Sequence, residues 1–500
     1  MVTISPNVKR KQFNKEIINL EVLIINPPIR LTDKPRHIPH GLAILANIIR
    51  NKLNLCPIFL DLNAHRYDEK EVENIICNTS FDVVLIGGLT PVYGSIIKLS
   101  KFIKSINPEV KIIAGGIVAM SMPDILLNNS EVDIVCTGEG EITVTELLDK
   151  FRKNPNAKVD DIAGIYFKDG ENKIVCTKPR PLIQNLDEQS SLPAYDLLPM
   201  EIYLSNPIVG IGRDIDIIDM RGCPYHCTFC HQPWGHKLRA HSVDCIINAI
   251  KFLKENYDIS FISFQDDEFM VNKKRVREFC GKRNRLFPDL LWSCTGRANV
   301  GARDEEIVKL MRDSGCVLIS YGFESGSQRM LNSMRKMQTI EQMEKTLEIS
   351  RKYGLPVPVS FIIGMPGEND ESCQETVDFC IRNKIPLDSL MFATPYPGTE
   401  IFDYALKTGR IDREHIHEFF MRLGDARDFT INLTDYFSDE ELINRREEMM
   451  GKARDNYDAF ITQDEINAKM RDLFGSLIDK YRLDEKDLEH RARHGGMNTF

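Results

Sequence analysis

A short apolar run followed by an amphipathic helix, repeated along the chain, is the pattern that most restricts how this sequence folds. "EVLIINPP" reads as a buried strand, "HGLAILANIIRNKL" as an amphipathic helix and "CPIFLDLN" as a second strand. Strands "FDVVLIGGL", "VKIIAGG" and "VDIVCTGEG" continue the series, alternating with helices "YGSIIKLSKFIKSI", "MPDILLNN" and "EITVTELLDKF". Such alternation predicts an α/β fold: a doubly wound parallel sheet over residues 1–160, with the loops at the strand carboxyl ends free to take a ligand. The Pro- and Asp-rich stretch around "KPRPLIQNLDEQSSLPAYDLLP" breaks the rhythm, and 161–212 reads as a linker. From "DIDIIDMRG" the alternation resumes for about six units, which suits a partial (β/α)6 barrel over 213–410. Residues 411–500 read as a charged helical region, expected to cover the barrel mouth, that ends in the polar tail "HRARHGGMNTF".

Composition narrows the function classes. A chain of 500 residues with 42% apolar content buries several cores. Its net charge of −9 argues against a broad nucleic-acid-binding face. No run approaches the roughly 20 apolar residues of a membrane span, and "MVTISPNVKRKQFNKEIINL" lacks the apolar segment of a secretory signal. A cytoplasmic protein is expected. Its 13 cysteines, an odd number without a secretory signal, do not form a disulfide framework. Ten of them sit singly among apolar or helical residues and read as packing.

The other three stand in "MRGCPYHCTFCHQPWG", where Cys223, Cys227 and Cys230 have the spacing CxxxCxxC on a loop leaving the first barrel strand. Structural zinc would need a fourth ligand, and His226 and His231 are near enough in sequence to offer one. No second CxxC or HxxxH element follows, however. Three thiolates suit an iron–sulfur cube with one iron left open to an exogenous ligand.

Cysteines spaced in this way, with the aromatic Phe229 before the last of them, resemble the radical S-adenosylmethionine (SAM) superfamily over residues 213–410. The resemblance implies a [4Fe–4S] cluster on Cys223, Cys227 and Cys230 whose open iron chelates SAM, and reductive cleavage of SAM to a 5′-deoxyadenosyl radical. It also implies that Gln265, Asp266 and Asp267 of "FQDDEF" meet the SAM amino group. Glu324 and Ser325 of "GFES" would meet its ribose and methionine end, Arg297 of "TGRA" its carboxylate, and Gly364 of "IIGMPGE" the adenine side. Other readings stay open: Asp266 and Asp267 as a helix N-cap pair, Glu324 as a partner of Arg297, and Gly364 and Gly367 as turn glycines.

The N-terminal block is similar to the cobalamin-binding domain that precedes the barrel in the B12-dependent branch of that superfamily. The matching elements are "NPP" (Pro27, Pro28), "LTP" (Thr90, Pro91), "AGG" (Gly115, Gly116) and "GEGE" (Gly138, Glu139, Gly140, Glu141). The wider cobalamin pattern places a histidine under cobalt through DxHxxG. Here "DKPRHIPHG" carries Asp33, His37, His40 and Gly41 at other spacings, so neither histidine is expected on cobalt.

Together these resemblances imply methylation of an unactivated carbon through methylcobalamin, with a flavodoxin- or ferredoxin-type protein as external electron donor. An oxidoreductase or cyclase like the anaerobic magnesium-protoporphyrin ester cyclases shares the layout, and a non-catalytic iron–sulfur or corrinoid carrier is the reading from another class. The substrate stays open among small molecules, lipids, tetrapyrroles and peptides. Tyr225, His231 and Trp234 lie beside the cysteines and are the residues nearest in sequence to touch it.

Overall fold

The computed structural model describes residues 19–30, 33–190, 192–209, 211–301, 303–484 and 486. The N-terminal segment and the polar tail therefore lie outside the described residues.

The first sheet is built from β1 (Val22–Asn26), β2 (Ile58–Asp61), β3 (Val83–Gly87), β4 (Lys111–Gly115) and β5 (Ile134–Cys136), in the parallel order β2-β1-β3-β4-β5. β1 and β3 are buried along their whole length, as a parallel strand covered by helices on both faces must be. The strand order reverses between β1 and β3, which opens a crevice beyond their carboxyl ends. Residues 161–212, expected as a linker, instead carry β6 (Ile165–Lys168) and β7 (Ile174–Cys176), a hairpin that extends the sheet antiparallel from β5.

The second sheet runs β8 (Asp214–Ile217), β11 (Phe261–Phe264), β12 (Leu291–Gly296), β13 (Cys316–Glu324), β14 (Val359–Ile363) and β15 (Leu390–Phe392), each parallel to the next. These six strands form the partial barrel. Between β8 and β11 lies a two-stranded ribbon, β9 (Met220–Arg221) with β10 (Arg239–Ala240). The barrel helices begin where the sequence supplies caps. Ser242, Asn272, Asp304, Thr339, Asn369 and Thr399 each accept an amide of the first turn.

The two sheets meet through their carboxyl ends. Met330, Met334 and Met365 of the barrel share one apolar cluster with Ile86, Val92 and Val118 of the first domain. Ile38 and Ala64 of the first domain join the barrel core beside Ile217.

The C-terminal helices do not cover the barrel mouth as expected. Helix Gln463–Tyr481 packs Met470, Phe474 and Leu477 against Phe261, Val317 and Leu318, at the amino ends of β11 and β13, and so closes the opposite end. Helix Asp439–Asp458 lies on the outer helix Asp370–Arg382. Among the described residues, only the earlier segment turns towards the first domain: His417 bonds the Tyr93 hydroxyl at 2.8 Å, and Asp425 pairs with Arg30.

Candidate active site

The cysteine loop leaves β9 and returns through β10, which closes it at the neck with Arg221 opposite Arg239. Gly222 makes the turn at φ 86°. A Cβ there would lie 2.4 Å from the Lys237 carbonyl oxygen, so no larger residue fits. Cys227 is buried, Cys223 half-buried and Cys230 exposed. The hydrogen bond with Cys230 holds the Cys227 thiol well below its ordinary pKa; burial opposes this, and the Lys336 and Arg297 cations add to it.

Two buried cations face these thiols, each with its own carboxylate. Arg297, just beyond β12, sets Nη1 3.5 Å from Cys227 Sγ and lies 3.8 Å from the centre of the Tyr225 ring. Its Nε is 3.6 Å from Glu268. Lys336 donates to Glu324 at 2.7 Å and stands 5.9 Å from the Phe229 ring. Glu324 ends β13 at φ 67°, beyond a register shift against β14. A left-handed glutamate is uncommon, and such strain collects at ligand-binding positions.

Several expected contacts fall elsewhere. Asp266, two residues beyond the end of β11, is not a helix cap: it is 1% exposed, and one oxygen accepts the Asp219 and Met220 amides at 2.9 Å each, bracing the foot of β9, while the other has no partner. Glu324 partners Lys336 and not Arg297. Ser325 is buried, 3.3 Å from the Thr376 hydroxyl and accepting the Ser327 amide, turned towards an outer helix. Gly364, at φ 90°, makes a turn whose amide bonds Glu368, and a Cβ there would press on Leu442. Gln265 is half-buried and Asp267 exposed at the end of β11. His231 bonds Ser121 at 3.2 Å, Trp234 lies 5.8 Å from the Arg221 guanidinium, and the His226 ring lies 3.6 Å from that of His236, tilted by 33°.

Glu268 and Lys336 were not singled out in the sequence. Glu268 ends the acidic triplet begun by Asp266 and Asp267, and its burial, which no sequence pattern carries, sets it apart. Lys336 is a lone lysine between Arg335 and Met337, both at positive φ, and no sequence pattern points to it.

The first domain presents its open edge to this mouth. Pro27 and Pro28 follow β1, and Thr90 and Pro91 start a short turn after β3. Gly116 must be glycine, since a Cβ would stand 2.8 Å from the Gly88 carbonyl. At Gly115 and Gly138 a Cβ would meet nothing within 4 Å, and Leu89, two residues beyond β3, is 52% exposed. Glu139 and Glu141, expected at the cofactor, instead turn into the barrel and pair with Arg221 at 2.7 and 2.5 Å. His37 and His40 both contact Asp216 of β8, at 3.2 and 3.1 Å.

The residues fit the groups that the sequence implies. Three thiols share one loop at the mouth. Buried Glu268 Oε2, Arg297 Nε and Asn299 Oδ1 beside them lack hydrogen-bond partners, as the lining of a polar ligand site does before its ligand arrives. The open glycine backbone and exposed Leu89 suit a broad, largely apolar ring laid over the sheet edge.

Comparison with known proteins agrees with this division. The Radical SAM superfamily model matches residues 217–380 and the B12 binding domain model residues 28–148. An uncharacterized methyltransferase of Pyrococcus horikoshii is 32% identical over 394 residues, covering 77% of this chain and 83% of the relative. The anaerobic magnesium-protoporphyrin IX monomethyl ester cyclase of Rubrivivax gelatinosus is 26% identical over 372 residues, 73% of this chain and 65% of the relative. Among solved structures, the radical SAM methyltransferase TsrM of Kitasatospora setae superposes with a TM-score of 0.64 over 78% of this chain and 77% of its own, at 19% identity. The cobalamin-dependent enzyme OxsB gives 0.62 over 80% of this chain and 56% of its own, also at 19%. At such identity these two likenesses concern the fold alone. Among the described residues no helix is long and apolar enough to cross a membrane.

Proposed function

The chain belongs to the cobalamin-dependent radical SAM enzymes, and on that premise we propose that it methylates an unactivated carbon of its substrate. Its cofactors are a [4Fe–4S] cluster, SAM and cobalamin. When bound, the first two supply a 5′-deoxyadenosyl radical and the third a transferable methyl group. The observation that carries the reading is the facing of the two domains: the open glycine edge at Gly115 and Gly138 is held towards the thiol-bearing mouth, with Ser121 just beyond β4 bonded to His231 of the cysteine loop.

Each side chain then has a task. Cys223, Cys227 and Cys230 hold the cluster. Arg297 and Lys336 place positive charge beside the Cys227 sulfur and favour its thiolate. Glu268, pushed up to about 8 by burial, has one oxygen without a partner and presents it to the SAM amino group. Gln265 and Asp267 border the same site. Pro27, Pro28, Thr90, Pro91, Gly115, Gly116, Gly138 and Gly140 form the backbone floor for the corrin, while His37 and His40 stay on Asp216 and leave cobalt without a histidine. A flavodoxin- or ferredoxin-type protein supplies electrons.

A cyclase or dehydrogenase is the second reading, favoured by the similarity to the Rubrivivax gelatinosus cyclase. Product stoichiometry separates the two. A cell extract incubated anaerobically with the reduced enzyme and methyl-deuterated SAM is expected to yield a labelled product together with one S-adenosylhomocysteine and one deoxyadenosine. Product formed with deoxyadenosine alone and without label would replace the methylase by the oxidoreductase.

A further inference from the structure

We propose that Glu139 couples the corrinoid-binding edge to the cysteine loop, so that filling the first changes SAM binding at the second; this rests on the reading above. The Glu139 carboxylate is shared by both stems of the loop. Arg221, which ends β9 two residues before Cys223, donates to Oε1 at 2.7 Å. Arg239, which begins β10 and closes the loop on the far side, donates to both oxygens at 2.8 and 3.0 Å. Glu141 takes the other arm of Arg221 at 2.5 Å, so two guanidiniums balance two carboxylates.

The network has little slack. Glu139 is 4% exposed, Glu141 4% and Arg239 5%. Arg239 also donates to the Ile183 carbonyl at 2.6 Å and to Trp234 O at 3.3 Å, and the Ile183 amide returns to Glu139 at 2.5 Å. Gly222 stands between Arg221 and Cys223 where Lys237 O leaves no room for a side chain, so a tilt of Arg221 in this scheme is passed along the backbone to Cys223.

On the other side Glu139 stands between Gly138 and Gly140. Gly138, at φ 87°, has open space where a Cβ would be, which leaves its backbone bare towards the sheet edge. A ring seated there bears on the peptide units that carry Glu139, and no intervening side chain absorbs the displacement. A buried, hydrogen-bonded ion network holds one arrangement because any other leaves a charge unpaired. Both binding events thus bias the same element, and linkage makes the effect reciprocal. Glu139 and Arg221 are positioning residues in this scheme, since neither side chain faces the sheet edge or the thiols.

The test uses anaerobically reconstituted full-length protein, with and without bound hydroxocobalamin. Iron and cobalamin contents are measured first, then SAM affinity and the paramagnetic signal of the reduced, SAM-bound cluster. In the wild type, cobalamin is expected to shift the signal and to change SAM affinity by about fivefold or more. In Glu139→Gln, which keeps the shape and loses the charge, both effects should fall within twofold while iron and cobalamin contents hold. Glu139→Asp keeps the charge and the fold but withdraws the carboxylate by one methylene, and should also diminish the coupling. Persistence of the full effect in either variant overturns the proposal, as does its absence in a wild type that has taken up cobalamin. A wild type that takes up no cobalamin overturns the functional reading itself, and the coupling with it.

Discussion

The Lys336 ammonium lies 2.7 Å from a carboxylate oxygen of Glu324, and the two side chains are only 7% and 9% exposed. This pair sits beside the cysteine loop, where neither charge is solvated well enough to stand alone. Lys336→Met is expected to destabilise the protein by about 3 kcal/mol, because it leaves a buried carboxylate unpaired. Adding Glu324→Gln should restore part of that loss. Denaturant unfolding of the four members of the cycle checks this, and additive effects of the two changes would show that the pair is not coupled.

Replacing Cys223, Cys227 or Cys230 by Ala is expected to lower bound iron sharply and to reduce deoxyadenosine release by more than about tenfold, since losing even an outer-shell partner of a metal ligand costs about 10- to 100-fold. Cys245→Ala, outside the loop, serves as the control. Undiminished deoxyadenosine from Cys227→Ala would remove the cluster from this loop.

The contacts of His37 and His40 with Asp216 make docking of the first domain sensitive to pH. Burial lowers the His37 pKa, but the hydrogen bond and charge of Asp216 outweigh it and leave the value raised. Burial likewise raises Asp216, and the two histidines more than reverse this, holding it well below the usual carboxylate range. The His37 contribution is therefore complete below about pH 6.5 and lost as pH rises through the raised value. That of Asp216 is complete above about pH 4 and lost as pH falls. Unfolding curves across pH should show both flanks in the wild type and a shallower slope on each in Asp216→Asn, and unchanged slopes in the variant would show that these contacts do not couple to stability. Nitrogen hyperfine structure on cobalt that disappears in His40→Ala would instead place that histidine on the metal.

Phe474 stacks on Phe261 at 6.4 Å and is fully buried at the amino end of the barrel. Phe474→Ala is expected to cost about 3–4 kcal/mol of stability and to leave the SAM affinity of the folded fraction within twofold. A large loss of affinity without a loss of stability would return the C-terminal helices to the mouth.

Much of the architecture was legible because it depends on short-range periodicity. Helices His40–Leu53 and Tyr93–Ile106 coincide with the segments read from their apolar spacing, and parallel strands buried on both faces announce themselves as unbroken apolar runs. The cysteine loop was equally plain, since its ligands are neighbours in sequence. What the sequence left open concerns partners far apart along the chain. The β6–β7 hairpin is two strands of four and three residues, too short for any period, and it exists because β5 offers an edge. Asp266 looks like any acidic residue after a strand until β9 folds over it. Glu139 and Glu141 sit in a glycine-rich loop that reads as a cofactor floor, yet their partner Arg221 is 82 and 80 residues away and Arg239 is 100 from Glu139. An ion pair needs only that two groups meet in space, so its members carry no mark in the sequence. Local pattern determined the elements and the ligand loop; the tertiary structure alone decided which buried charges face the site and which lock the domains together.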